Sequence, residues 1–309
     1  MKPFLRRSVI ALGKARDWST AQLIFALLWL LQRLPAKRAI AITDRIARRI
    51  GPMTSRQKLV LENLRRAYPQ STETWRAEVA EEMWGNMARL AAEYVFLDQL
   101  FDFDPAAPSK GFIEVEGQDI FEDLQRNPRP AMFFTAHTGN FELLPIAASA
   151  YGLSLTALFR PPNNPYVAER VLNARKTRLG SFVPSKAGAA WTLARTLEGG
   201  GSVGMLVDQK FHKGVTTRFF GQPVRTNPLL AKLQRQYDCE VFPARSIRLP
   251  GGRFRLVIEP AVTVPRDAEG KVDVEATAQM LNDKVESWVR EYPGQWQWFH
   301  DRWAIKKSL

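Results

Sequence analysis

The chain has 309 residues, 45% of them hydrophobic and 24% charged, which is the composition of a globular protein long enough to bury a large core without staples. This excludes a disordered chain, a collagen-like chain and a polytopic membrane protein, and the one cysteine, Cys239, excludes an intramolecular disulfide and a cysteine-based zinc cluster. The net charge of +13 sits in two blocks: residues 1–70 hold 15 Lys and Arg against 3 Asp and Glu, and residues 151–250 hold 15 against 5. Blocks of this kind attract nucleic acid, anionic lipid or an acidic protein. The basic residues gather beside an apolar run and near strand ends rather than among interleaved aromatics, which argues against a nucleic-acid partner.

The apolar run is AQLIFALLWLL at 21–31, with Trp18 and Trp29 in or beside it and basic residues on both sides. It is short of the ~20 apolar residues of a spanning helix, and no good secretory cleavage site follows it. The next segment, AKRAIAITDRIARRI, mixes Ile and Ala with Arg and Lys at helical spacing, as in a helix resting on anionic headgroups. Residues 1–50 therefore read as a membrane anchor with a basic amphipathic segment, and residues 51–309 as the globular domain. Whether 18–34 spans the bilayer or lies in its interface is left open by the sequence.

Helices are predicted over 54–68 and 73–100, the second opened by Thr72 as half of a capping box. The turn-rich DFDPAAPSKG at 102–111 is a loop. Short β-rich runs then alternate with helices. Strands are predicted at 112–117, 131–137, 153–160, 202–209, 240–248 and 253–262. Helices are predicted at 141–152, 163–179, 187–200, 227–238 and 273–291. The alternation predicts an α/β fold with a mixed central β-sheet flanked by helices. In such sheets sites gather at the C-terminal strand ends, where His137, Arg160 and Asp208-Gln209 fall.

AMFFTAHTGNFELLP places His137 where a buried strand gives way to a helix, with Thr138, Gly139 and Asn140 as the turn and Glu142 in the first helical turn. An imidazole accepts protons near neutral pH. A carboxylate five residues on would fold back to hold one ring nitrogen and leave the other for a substrate, while the helix N-terminus would offer free N–H groups to a developing negative charge. With no Ser or Cys at hand, the nucleophile would be the substrate's own hydroxyl. A core histidine satisfied by a local carboxylate has the same spacing. Glycine-rich phosphate loops are absent from the sequence.

His-Thr-Gly-Asn-Phe-Glu resembles the H-x4-D/E motif of the glycerolipid and lysophospholipid acyltransferase superfamily. The wider set resembles one branch of it, the late acyltransferases of lipid A biosynthesis, the lauroyl and myristoyl transferases of Gram-negative bacteria. That set is LFRPPNNP at 158–165, VDQKFHKGVTTRFFGQPVRTN at 207–227, YPGQWQWFHDRW at 292–303, and Asn63 to Pro69 after the apolar anchor.

The resemblance implies transfer of a fatty acyl group from acyl carrier protein to a hydroxyl of a lipid A precursor, with neither metal nor nucleotide cofactor. It implies His137 as general base and Glu142 as the residue that orients it. Arg160 would hold acceptor phosphate bidentately. Asp208 and Gln209 would bind acceptor or order Arg160, and a structural ion pair fits Asp208 equally. Asn140 and Arg218 are further substrate-binding candidates; Arg218, Arg225 and Arg245 would face lipid phosphates or the acidic carrier protein. His212 and His300 read as structural, and the C-terminal tryptophans as packing. The implied partners are acyl carrier protein, a lipid A precursor and anionic inner-membrane lipids. The implied location is the inner membrane with the catalytic domain on the cytoplasmic side. A sister acyltransferase on another membrane acceptor, or a non-catalytic basic membrane-binding protein, are the competing readings.

Overall fold

The computed structural model describes residues 3–104, 111–159, 162–176, 181–185 and 188–304. Its centre is a seven-stranded sheet of β1 (Ile113–Glu116), β2 (Ala131–Thr135), β3 (Leu155–Phe159), β4 (Ser181–Pro184), β5 (Ser202–Leu206), β8 (Glu240–Arg248) and β9 (Phe254–Ile258), in the order β1-β9-β8-β2-β5-β3-β4. Every neighbouring pair is parallel except β8 with β9. The mixed sheet predicted from the alternation is therefore present, with β4 added at its edge. A separate antiparallel hairpin, β6 (Lys210–Phe219) and β7 (Gln222–Thr226), leaves the sheet directly after β5.

Strand β2 reads as an unbroken apolar run because it is covered on both faces. Met132 and Phe134 join one core layer and Ala131 and Phe133 the other, as the period of two requires. The first layer packs under α3 (Gln57–Ala67), α4 (Glu73–Val95), α9 (Ala189–Glu198), α10 (Leu229–Tyr237) and α11 (Val274–Glu291). The second packs under the short α5 (Leu97–Leu100), α6 (Gln118–Arg126) and α7 (Leu143–Ala150). Thr72 caps α4 by accepting from the N–H of Trp75 at 3.1 Å, the half capping box that was predicted.

The C-terminal tryptophans pack as predicted. Trp296, Trp298 and Trp303 are buried against Phe219 and Phe220 of the hairpin and its turn, and Tyr68 joins the same aromatic cluster. Asn63 fastens this segment by donating to the carbonyls of Trp298 at 2.6 Å and His300 at 2.8 Å. The Asn63–Pro69 stretch is thus the clasp on the C-terminal segment.

The N-terminal 31 residues include α1 (Pro3–Leu31), followed by α2 (Ala36–Ile50). The latter packs on α4, where Asp44 pairs with Arg48 and Arg89 at 3.1 and 2.9 Å; Gly85 leaves room for that pair, since a Cβ there would lie 2.3 Å from Asp44 Oδ1. Helix α1 meets α8 (Pro165–Lys176): Asn164, just before α8, donates to the carbonyl of Asp17 at 2.6 Å, and Arg170 lies over the Phe25 ring at 4.6 Å. Trp18, Leu23, Leu27, Trp29 and Leu30 of α1, and Ile42, Ile46 and Ile50 of α2, stay exposed. Among the described residues no helix is long and apolar enough to cross a membrane.

Candidate active site

Strands β2 and β5 run parallel with Thr135 opposite Leu206, and the N–H of Val207 continues the ladder to the carbonyl of Thr135 at 3.0 Å. Two residues further along each chain this register brings His137 beside Asp208. His137 Nδ1 lies 2.8 Å from Asp208 Oδ1, and the main-chain N–H of His137 donates to Asp208 Oδ2 at 3.0 Å. The indole N–H of Trp296 donates to that same Oδ2 at 2.8 Å. Asp208 is buried. Burial alone would push its carboxyl up, but the imidazole's charge and the hydrogen bonds from His137 and Trp296 outweigh it and hold the pKa below the usual carboxylate range.

An ionised carboxylate accepts only, so Nδ1 carries a proton, and in the neutral ring Nε2 presents its lone pair. The amide Nε2 of Gln209 lies 3.2 Å from that nitrogen. His137 is seated edge-on to Phe141, with ring centroids 4.9 Å apart.

The imidazole opens on a cavity of about 300 Å³ between the sheet and α7, lined by Phe121, Phe133, Leu144, Leu155, Gly204 and Ala244 among other apolar groups. His137, Glu142, Gln209 and Lys210 supply polar lining. Lys210 is held by Asp301 at 3.1 Å, and its main-chain N–H donates to His300 Nε2 at 3.0 Å. Burial pushes His300 down to about 4, so it sits neutral beside the site. Arg302 is buried among the carbonyl of Arg225, Thr226 and Asn282, and burial lowers its pKa to about 10 against the opposing charge of Asp208. Among the described residues no group of three or more His, Cys, Asp or Glu converges as metal ligands would.

The structure brings together a different pair of side chains from the one expected. The carboxylate on the imidazole is Asp208, 71 residues away, where Glu142 was expected. Among the described residues the ring nitrogens meet Asp208 and Gln209; Glu142 is the N-cap residue of α7 and lines the cavity wall. The intervening turn is pinned to β8. Gly139 takes φ +56°, and a Cβ there would lie 2.2 Å from the carbonyl oxygen of Ser246.

The N–H groups of four turn residues are used within the fold. His137 donates to Asp208, Thr138 to the carbonyl of Ala136, Gly139 to that of Gln295 and Asn140 to Ser246 Oγ. Asn140 itself is buried, and its side-chain amide donates to Glu93 at 3.0 Å, where Glu93 also pairs with Arg248. It ties the turn to the core and has no exposed face for substrate.

Arg218 closes the hairpin turn through the carbonyl of Gly221 at 2.9 Å and is not among the cavity-lining residues. Arg225 bonds within the hairpin, and Arg245 pairs with Glu291 at 2.5 Å. Exposed His212 lies on β6. Arg160 lies outside the described residues. The Trp296 indole as a donor to the buried Asp208 carboxylate is not legible from the sequence, which places this residue only among packing aromatics.

Comparison with known proteins points to one family. The family model described as bacterial lipid A biosynthesis acyltransferase matches residues 8–305. The chain is 24% identical over 263 residues to the lipid A biosynthesis myristoyltransferase of Escherichia coli K12, covering 84% of this chain and 78% of the relative. It is 23% identical over 296 residues to a lipid A biosynthesis acyltransferase of Haemophilus influenzae, covering 92% and 87%.

Proposed function

Since the chain belongs to the bacterial lipid A biosynthesis acyltransferase family, we propose that it moves a fatty acyl group from an acyl carrier protein thioester to a hydroxyl of a lipid A precursor, with His137 as general base. The observation that carries this reading is the His137–Asp208 pair opening on an apolar cavity. The cavity takes the acyl chain, which sets the thioester carbonyl near the imidazole. Nε2 removes the proton from the acceptor hydroxyl as its oxygen bonds to the carbonyl carbon. The tetrahedral centre then collapses, the C–S bond breaks, and the pantetheine sulfur takes the proton back from Nε2. Asp208 fixes the tautomer and stabilises the imidazolium between these two events.

Glu142, on the wall of the same cavity, is assigned to acceptor placement rather than to the ring. Arg160 follows Phe159, a cavity-lining residue, in the sequence and is assigned to acceptor phosphate. The exposed apolar residues of α1 and α2, with Lys37, Arg38, Arg45 and Arg49 also exposed on α2, support attachment to the anionic face of the inner membrane on the cytoplasmic side, where carrier protein is available.

The test is incubation of the purified protein with acyl carrier protein thioesters and a lipid A precursor, read by mass spectrometry. One added acyl chain is expected with the wild type and none with His137→Ala. Equal product from both would remove His137 from the chemistry.

A further inference from the structure

Acyl transfer through a tetrahedral intermediate needs a hydrogen-bond donor where the carbonyl oxygen becomes an oxyanion. The turn after β2 is the obvious source, yet much of it is spent: the N–H groups of 137–140 donate within the fold, and those of Leu143 and Leu144 donate to the carbonyls of Asn140 and Phe141. Three side-chain donors around the histidine are engaged too. The Trp296 indole serves Asp208, the Asn140 amide serves Glu93, and the Lys210 ammonium serves Asp301.

Gln209 is placed differently. It follows Asp208 at the end of β5, lines the cavity, and holds its amide nitrogen 3.2 Å from the nitrogen that must act as base. Because Asp208 fixes the proton on Nδ1, the contact is a donation from the amide to the Nε2 lone pair. The amide therefore occupies the place that the acceptor hydroxyl must take, and the hydroxyl can be deprotonated only after displacing it. The displaced N–H is then next to the reacting carbon and without an acceptor.

Resting on the acyltransferase reading above, we infer that Gln209 is a catalytic residue, whose side-chain amide caps the base in the empty site and becomes the oxyanion donor when the acceptor hydroxyl arrives. The acceptor O–H proton passes to His137 Nε2 as the new C–O bond forms. The carbonyl π pair moves onto oxygen, and the Gln209 N–H bonds that oxygen. When the pair returns, the C–S bond breaks and the sulfur takes the proton from Nε2. The same exchange guards the site, since a base covered by an amide is a poor activator of stray water against the thioester.

The experiment compares wild type, Gln209→Ala, Gln209→Glu and His137→Ala in transfer kinetics. It also measures binding of a long-chain alkylphosphonate monoester, an anionic mimic of the tetrahedral intermediate. Gln209→Ala is expected to lower kcat by about 10²–10³-fold with little change in KM for either substrate. Gln209→Glu keeps the size but removes the donor and loses at least as much. The phosphonate should bind Gln209→Ala more weakly than wild type by a comparable factor. A Gln209→Ala enzyme within about threefold of wild-type kcat would overturn the inference. So would a large kcat loss with unchanged phosphonate affinity, the signature of a residue that only props the ring. Absence of transfer by the wild type would instead strike the acyltransferase reading itself.

Discussion

The indole N–H of Trp296 donates at 2.8 Å to Asp208 Oδ2, the oxygen that also accepts the main-chain N–H of His137 at 3.0 Å. Only Oδ1 is left for the imidazole, at 2.8 Å. The carboxylate is therefore held by two elements distant in sequence before it does anything to the ring. Replacing Trp296 by Phe removes one donor from a buried charge and leaves a void. An unfolding free energy lower by about 2–4 kcal/mol is expected in denaturant titration, with a fall in kcat larger than any change in KM.

The second prediction separates the two carboxylates. Asp208→Asn places an amide against Nδ1; with its oxygen turned to the main-chain N–H of His137 and the Trp296 indole, its nitrogen donates to Nδ1 and the proton moves to Nε2, where it blocks the base. The expected loss in kcat is on the order of 10³–10⁴-fold. Glu142→Gln leaves the ring's contacts with Asp208 and Gln209 intact and is expected to cost less. Acyl-transfer kinetics on the two variants decide between them, and a Glu142→Gln loss exceeding that of Asp208→Asn would return the orienting role to the motif's own acid.

The contrast shows what a single sequence can carry. The apolar run at 131–137, the helices around it and the position of His137 at a strand end were legible because local periodicity encodes them. The partner of the ring was not, because it is set by the register of β2 on β5 across 71 residues of chain. The β6–β7 hairpin went unread for another reason. Its strands are polar and half exposed, and only the turn marks them: Phe220 and Gly221 take φ +51° and +70° between the paired Phe219 and Gln222. A glycine in the second place of a two-residue loop was the available signal. Strand β4, four residues ending in proline, is too short to stand out.

The third prediction concerns chain length. Gly204 lies in the sheet opposite Phe133 and Ala157 and lines the cavity, and a Cβ there would come 3.2 Å from Leu155 Cδ2. Valine at this position takes space that the acyl chain would use. One methylene in such a pocket is worth about 1–3 kcal/mol, so Gly204→Val is expected to shift preference toward shorter donors by ~10–100-fold. Competition between carrier-protein thioesters of two lengths, read by mass spectrometry of the product, measures it. An unchanged product ratio would place the chain elsewhere.

The fourth prediction uses His300. Its folded pKa of about 4 lies below the ordinary 6.5 because burial disfavours the charged ring. The unfolded chain therefore binds its proton first as pH falls. The stability this residue contributes is complete above pH 6.5 and is lost progressively between pH 6.5 and 4. His300→Gln keeps an acceptor for the Lys210 N–H and removes the titration. Its melting temperature should fall less steeply than wild type across that window. Parallel curves would mean that the acid sensitivity arises elsewhere.

The last prediction concerns the outward face of α2. Ile42, Ile46 and Ile50 are 39, 51 and 55% exposed on a helix whose other side is locked to α4 through Asp44, Arg48 and Arg89. Such residues contribute little to the folded monomer, and their exposure makes sense against a lipid surface. Changing all three to Ser removes about 1.5–3 kcal/mol of burial each if they enter the interface fully, and less if they enter in part. Affinity for anionic vesicles is expected to fall by ~10²-fold or more, with the circular dichroism spectrum unchanged. Because α2 is fixed to α4, the same substitutions should slow transfer to acceptor embedded in vesicles more than transfer to detergent-dispersed acceptor. Equal slowing on both would show that the face acts on the fold and not on the membrane.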